Sequence, residues 1–261
     1  MVKVKLHFRR VRFTKLADSQ WNIIQPLVGN GRKRKYKLRD VFDAILKITR
    51  TGMQWRNWES KCLPWESVYY YFRKWQRNGV LANVLALLVE KERSRQGRLP
   101  QASASAVDSQ SVKKGAFVSL DSGIDGGKLI NGRKRHFAVD MLGLPLVIFV
   151  TAANLNDGKA GLDLLWRLDE LSNRMELIRA DHAYEGDFCT YAKCYNYTVE
   201  ISQKPETQKG FVPQTGRWQV ERSFSWLNFF RRLSKDYEKT VESSVAFLQC
   251  AFIDIILARL A

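Results

Sequence analysis

Three carboxylates, Asp108, Asp181 and Glu221, stand in separate segments of this 261-residue chain, in settings that suit metal-assisted chemistry. Asp108 closes SASAVD (103–108) and Asp181 closes MELIRAD (175–181), two short stretches with strand character. Sites in open α/β sheets collect beyond strand ends. Glu221 lies in RWQVERSFSWLNFFRRLSKDYE (217–238), which reads as a helix followed by a basic exit. At about 100° per residue, Gln214, Arg217, Ser225, Asn228 and Arg232 fall within roughly 40° of Glu221. Val220, Phe224 and Leu227 form a separate apolar stripe that can pack on a sheet. Three hard oxygen ligands with few histidines nearby suit Mg2+, with Mn2+ as the alternative. Two such ions would activate an attacking oxygen and stabilise a leaving one in phosphodiester chemistry.

Each of these residues also has a plainer reading. Asp108 can form an Asx-turn, Asp181 can cap the next helix, and Glu221 can pair with Arg217 at i,i+4. Asp140, Asp157 and Asp187 are rival ligands, with Asp140 the first substitute for Asp108. His136, inside a strand, reads as structural, while His182 is placed to flank a scissile phosphate. Trp218 is a candidate for stacking on a base, and Trp226 for core packing.

The elements that must position these residues change character along the chain. Helices are expected at about 18–27, 37–51 and 64–77, with a further one from about residue 81. Apolar residues recur at helical spacing there, Asp18 can cap, Pro64 sits at a first turn and Gly52 and Gly79 are stops. Two of these helices can form a helix-turn-helix-like pair, although a connector of about a dozen residues exceeds the usual 3–4 residue turn; the alternative for the 64–78 helix is a core helix with a basic outer face. RSRQGRLPQASA (93–104) reads as a linker. Strands follow at 103–108, 135–142 and 146–153, the last two as a hairpin about Gly143-Leu144-Pro145, with 112–131 irregular. Then come a helix at 158–173, a strand at 175–181, a helix at 184–196, a strand at 197–202, the Glu221 helix and an apolar helix at 241–260. The order implies an α/β mixed sheet with helices on its faces, preceded by an all-α domain. The expected boundaries are 1–95 for the helical domain, 96–104 for the linker and 105–261 for the α/β domain.

Charge separates the two parts. The chain carries a net charge of +17. Residues 1–100 hold 23 Lys and Arg against 7 Asp and Glu, whereas residues 101–261 hold 20 against 19. A basic domain joined to a near-neutral one suggests an anchor for a polyanion, and nucleic acid fits better than a membrane surface. The candidate phosphate contacts are Arg32, Lys33, Arg34 and Lys35 of a basic loop and Arg73, Lys74 and Arg77 on the outer face of the third helix. Arg133, Lys134 and Arg135 form a further candidate group, equally readable as a solvated turn. Arg217, Arg231 and Arg232 flank the Glu221 helix. No run of 18 apolar residues suggests a transmembrane helix, and the N-terminus lacks a secretory h-region. Cys62, Cys189, Cys194 and Cys250 have no zinc spacing, so a reducing cytoplasm is expected.

Four blocks, VDSQSVK, GRKRHFAVDMLGLPLVIFVTAANLNDG, ADHAYEG and RWQVERSFSWLNFFRRLSKDYE, resemble in order those of bacterial insertion-sequence DDE transposases. LADSQWNIIQPLV, LRDVFDAILKITRTGMQWRNW and VYYYFRKWQRNGV resemble that family's N-terminal region. The resemblance implies an RNase H-like catalytic fold with Asp108, Asp181 and Glu221 as the metal-binding triad. It also implies double-stranded DNA as partner, Mg2+-dependent cleavage at terminal inverted repeats, and attack on target DNA by the freed 3′-OH. A homodimer holding two ends, on nucleoid DNA in a bacterial cytoplasm, is expected with it. Related transposases carry Tyr-x2-Arg-x3-Glu-x6-Lys around the glutamate. Arg217 matches as a phosphate clamp, whereas Gln214 and Asn228 replace the Tyr and Lys, so the role of that pair in hairpin flipping does not carry over. The alternatives are an RNase H-like nuclease without strand transfer, and a catalytically inactive DNA-binding derivative.

Overall fold

The computed structural model describes residues 13–29, 32–171, 174–202 and 217–260. The basic arm before residue 13, Asn30 and Gly31 of the basic loop, and the 203–213 loop with Gln214 lie outside the described residues. Four helices come first, α1 (Asp18–Val28), α2 (Leu38–Thr51), α3 (Trp65–Arg77) and α4 (Val80–Arg95). Strands β1 (Ala104–Lys113), β2 (Gly123–Asp125), β3 (Ile130–Asp140) and β4 (Pro145–Ala152) follow. Then come α5 (Asp157–Leu171), β5 (Leu177–Ala180), α6 (Asp187–Cys194), β6 (Thr198–Ile201), α7 (Trp218–Leu227) and α8 (Val241–Leu257). Among the described residues no helix is long and apolar enough to cross a membrane.

The described residues group into two compact units. One takes the chain up to Leu88 together with Phe230–Leu233 and the residues from Ala246 onward; the other takes Val89–Phe229 and Ser234–Val245. Most of the last apolar helix therefore belongs with the helical unit. The reason is its aromatic content: Phe247 packs 4.7 Å from Phe72 of α3 and 5.7 Å from Trp55, ring centre to ring centre. Trp55 opens a 3-10 turn, Trp55–Asn57, within the long α2–α3 connector. It also packs 5.1 Å from the buried Phe72, which anchors that connector on α3. Gly52 ends α2 in the left-handed conformation at φ 74°, as its sequence position implies.

The second unit holds a six-stranded sheet in the order β2-β3-β1-β5-β6, with β4 also paired to β3. β3 is antiparallel to both β1 and β4, whereas β1, β5 and β6 run parallel. This is the α/β mixed sheet expected from the order of elements, and it is consistent with the RNase H-like fold that the family resemblance implies. One face packs on α5 and α6, with Val107, Ala138 and Phe149 against Leu164, Leu168 and Phe188. The opposite face meets α7, where Phe224 stacks on Phe137 at 4.7 Å.

Two local expectations are corrected. β1 does not end at Asp108 but continues to Lys113, because β3 begins at Ile130 and supplies backbone partners along the polar run Ser109–Val112. Arg133, Lys134 and Arg135 are not a solvated turn; all three are buried within β3. The strands close there only because residue 132 is glycine, since a Cβ at Gly132 would stand 1.9 Å from the Val112 carbonyl oxygen.

Candidate active site

The register of the sheet brings two carboxylates together. β1 and β5 are parallel neighbours, and their last paired residues are Ala106 and Arg179. Asp108 and Asp181 each stand two residues further on. Strand side chains alternate with period two, so both emerge on one face, beside one another. That face is the one α7 covers, because Asp108 pairs with Phe137, the residue on which Phe224 stacks. Each aspartate has one oxygen fixed by a backbone N–H. Asp108 Oδ1 accepts from Ser109 N at 2.7 Å, and Asp181 Oδ1 accepts from Ala183 N at 3.0 Å. Asp181 thereby caps the 3-10 turn His182–Tyr184, as the plainer reading also had it.

The remaining oxygens share one cation. Val220, Phe224 and Leu227 are buried and seat α7 on the sheet, and Arg217 stands at its N-cap. Arg217 Nη2 lies 3.2 Å from Asp108 Oδ2 and 3.5 Å from Asp181 Oδ2. Burial pushes the Asp108 carboxyl up to about 6; the Arg217 charge opposes this and the like charge of Asp181 reinforces it. Glu221 is exposed, one turn after Arg217. Among the described residues no group of three or more His, Cys, Asp or Glu side chains is gathered closely enough to hold a metal. The structure thus joins two of the three expected ligands and leaves the third on the neighbouring turn.

The donor set nonetheless suits a divalent cation. Two hard carboxylate oxygens from different strands converge on one positive group, and oxygen donors of this kind are those Mg2+ and Mn2+ take. Tyr184 adds a feature the sequence reading did not single out. It is 1% exposed, and its hydroxyl has no hydrogen-bond partner among the described residues. Burial first, then the charges of Asp108, Asp157 and Asp181, hold its pKa well above the ordinary value, so it stays a donor. The ring packs 5.2 Å from Phe188, and a Cβ on Gly161 would meet it at 3.0 Å. Its place three residues after Asp181, at the turn ending β5, was the available signal.

The rival carboxylates have other employment. Asp140 is fully buried, pairs with Arg93 and accepts Leu142 N and Leu144 N, which makes it the anchor of the β3–β4 turn. Asp157 accepts Ser109 Oγ at 2.8 Å and Lys134 Nζ at 3.0 Å on the α5 face. Asp187 is exposed in the first turn of α6. His136 is structural: it is fully buried, stacks on Phe149 and bonds Thr151 Oγ1 at 2.9 Å, and burial lowers its pKa to about 4. His182 is exposed and lies 2.7 Å from Glu185. Trp226 is core; Trp218 is 42% exposed with the Arg222 guanidinium 4.2 Å over its ring.

The basic candidates divide by exposure. Arg32, Lys33, Lys35, Lys74, Arg77 and Arg231 are exposed, while Arg34 and Arg73 are half-buried. Four others face inward. Arg133 donates to Asp236, Ser244 and the Glu238 carbonyl; Lys134 bonds Asp157 and the Leu155 carbonyl. Arg135 is buried beside Gln110, which lowers its pKa to about 10. Arg232 is buried, bonds the Met53 carbonyl and lies 4.8 Å over the Phe247 ring. These four are corrected from phosphate contacts to internal cations. A basic run in sequence reads as solvated, and only the sheet register and the neighbouring acids reveal its burial.

Two known families match successive stretches of the chain. Residues 16–85 match the family described as "Putative transposase of IS4/5 family", and residues 99–253 match "Transposase DDE domain". One relative is "Putative transposase for insertion sequence element IS402" of Burkholderia cepacia, 30% identical over 125 residues. That match covers 45% of this chain and 59% of the relative, so the chain spans about six-tenths of that protein's length. Another is "Putative transposase for insertion sequence element IS6501" of Brucella ovis (strain ATCC 25840 / 63/290 / NCTC 10512). It is 30% identical over 128 residues, which are 46% of this chain and 95% of the relative.

Proposed function

The chain belongs to the DDE-domain transposases of insertion sequences, and from that premise we propose that it binds the terminal inverted repeats of such an element, cuts the DNA there and joins the freed 3′-OH ends to target DNA. The observation that carries this reading is the meeting of Asp108 and Asp181 under the N-terminus of α7, with Arg217 on their free oxygens.

In this reading Asp108, Asp181 and Glu221 hold divalent metal, Mg2+ or Mn2+, as a two-metal site. The chemistry such ions supply is Lewis-acid stabilisation of the charge that builds on phosphate oxygens. The protein's own part is positioning and electrostatics. The backbone N–H groups of Ser109 and Ala183 fix the orientation of the two aspartates. Arg217 clamps a phosphate beside them, since a planar guanidinium can bind two phosphate oxygens at once. In the cutting step water attacks the phosphorus, the P–O bond to the 3′-oxygen breaks and a 3′-OH is released. In the joining step that 3′-OH attacks a target phosphodiester and the target strand's own 3′-oxygen leaves. The exposed Arg32, Lys33, Lys35, Lys74, Arg77 and Arg231, with the half-buried Arg34 and Arg73, contribute backbone contacts along the duplex. Two copies of the chain are needed to hold two ends.

Incubating the protein with inverted-repeat DNA, target plasmid and Mg2+, and resolving nicked, fully cut and joined products, tests this. Joined products are expected. Cut ends that never join indicate a nuclease without strand transfer, and binding without cutting indicates an inactive DNA-binding derivative.

A further inference from the structure

Arg217 is seated where a divalent cation would have to sit. Its Nη2 takes the Oδ2 atoms of both Asp108 and Asp181, at 3.2 and 3.5 Å. Those are the oxygens that remain once Ser109 N and Ala183 N have taken the two Oδ1 atoms. The side chains concerned are mostly out of water, 11% exposed for Arg217, 19% for Asp108 and 31% for Asp181. Two carboxylates brought together by strand register repel one another, and in a partly desolvated pocket that repulsion needs a counter-charge. Tyr184, whose hydroxyl is buried and within the field of both aspartates, is neutral and cannot provide one.

We propose that Arg217 is an internal counter-ion that competes with the divalent cation for Asp108 and Asp181, so that metal loading displaces its guanidinium and frees it for a DNA phosphate. The inference rests on the metal-site reading given above and adds the regulation of that site. The same side chain would serve two states: on the carboxylates before loading, on a phosphate after it. Its position favours the exchange. Arg217 is the N-cap of α7 and precedes the seated helix, so side-chain rotation alone can move the guanidinium while Val220 and Phe224 keep α7 on the sheet. Binding of DNA and binding of metal then assist one another, because each removes a competitor from the other's partner.

The test is a Mn2+ titration of the full chain without DNA, followed by loss of the free-ion electron paramagnetic resonance signal, for wild type, Arg217→Ala, Arg217→Gln and Asp108→Asn, each checked for its folding melt. Removing a cation a few ångströms from a binding site is expected to tighten Mn2+ binding by about tenfold or more in both Arg217 variants. Asp108→Asn is expected to abolish it. Unchanged or weaker binding in the Arg217 variants, with loss in Asp108→Asn, overturns the competition and leaves the metal site standing. Undiminished binding in Asp108→Asn overturns the metal site itself. No binding in any form up to millimolar Mn2+ also overturns the proposal, because it requires the arginine-free site to load. Arg217→Gln keeps the helix start polar, so one folded variant suffices for the decision.

Discussion

Asp108 on β1 and Asp181 just after β5 occupy equivalent places beside one another, each two residues beyond the last β1–β5 pair, Ala106 and Arg179. Their proximity is thus a property of the sheet, and it predicts how substitutions divide between folding and chemistry. Asp108→Asn and Asp181→Asn are expected to leave the fold and DNA-end binding intact while lowering cleavage by at least about a hundredfold, the scale of losing one preorganised electrostatic group. Glu221→Gln is expected to do the same, and being exposed it is the least able to disturb folding. At pH 8 Asp108→Asn should melt no lower than wild type, since it removes a carboxylate whose ionised form burial disfavours. Cleavage assays and melts of the three proteins decide; near-normal cleavage by any one removes that residue from the site.

Arg133 sets a contrasting expectation. Its guanidinium is fully buried and donates to Asp236, Ser244 and the carbonyl of Glu238. Arg133→Ala would leave Asp236 buried beside a cavity, and breaking a buried pair in this way costs about 3–5 kcal/mol. The variant should therefore melt far below wild type, and any loss of DNA binding should track the unfolded fraction. A folded Arg133→Ala protein with wild-type stability and weakened DNA binding would return Arg133 to the phosphate contacts.

The helical unit predicts a dependence between chain ends. Phe247 fills the space beside Phe72 and Trp55, and Gln20 donates to the Leu257 carbonyl at 2.8 Å. Residues 1–100 expressed alone lack these partners and are expected to show reduced helix content and a broad or absent thermal transition by circular dichroism. In the full chain, Lys74→Ala with Arg77→Ala should weaken duplex binding and lower the slope of log K against log salt by about one per phosphate contact removed. An unchanged slope would take α3 out of the interface.

What was legible in the sequence follows from which forces are local. Amphipathic spacing placed α2, α3 and α7, because the stripe that faces a core is set by the helix's own periodicity. The Glu221 wheel put Val220, Phe224 and Leu227 inside, and they are buried. It put Arg217 on the face of the exposed Glu221, whereas its side chain is mostly buried against Asp108 and Asp181. Asp108 and Asp181 were found at strand ends, yet β1 runs on to Lys113, since its partner strand begins earlier than a Gly-rich segment suggests. The burial of Arg133, Lys134 and Arg135 was not legible. It depends on Asp236 and Asp157, which are distant in sequence and are brought close only by the fold. The seating of Arg217 on two aspartates is of the same kind: spacing pointed to Glu221, whereas the partners found lie on β1 and after β5.

The last expectation concerns pH and the helical unit. Asp254 lies in α8, where burial pushes its carboxyl up to about 6; the Arg50 charge opposes this and that of Asp43 adds to it. A carboxyl whose folded pKa lies above its unfolded value of 3.8 binds its proton more tightly when folded. Between about pH 4 and 6 the folded state therefore holds more protons, and stability falls as pH rises. Above about 6 the penalty is fully expressed. Asp254→Asn removes this slope, so the variant should match wild type near pH 4 and melt higher at pH 7.5. The gain is on the order of 1–3 kcal/mol, the worth of a shift of up to about two pKa units that already includes the Arg50 attraction. Melting curves of both proteins at half-unit steps from pH 4 to 8 give the difference directly, free of the other titrating groups they share. A gap that narrows with rising pH, or a variant that melts lower at pH 7.5, would show that the Arg50 attraction outweighs burial at Asp254.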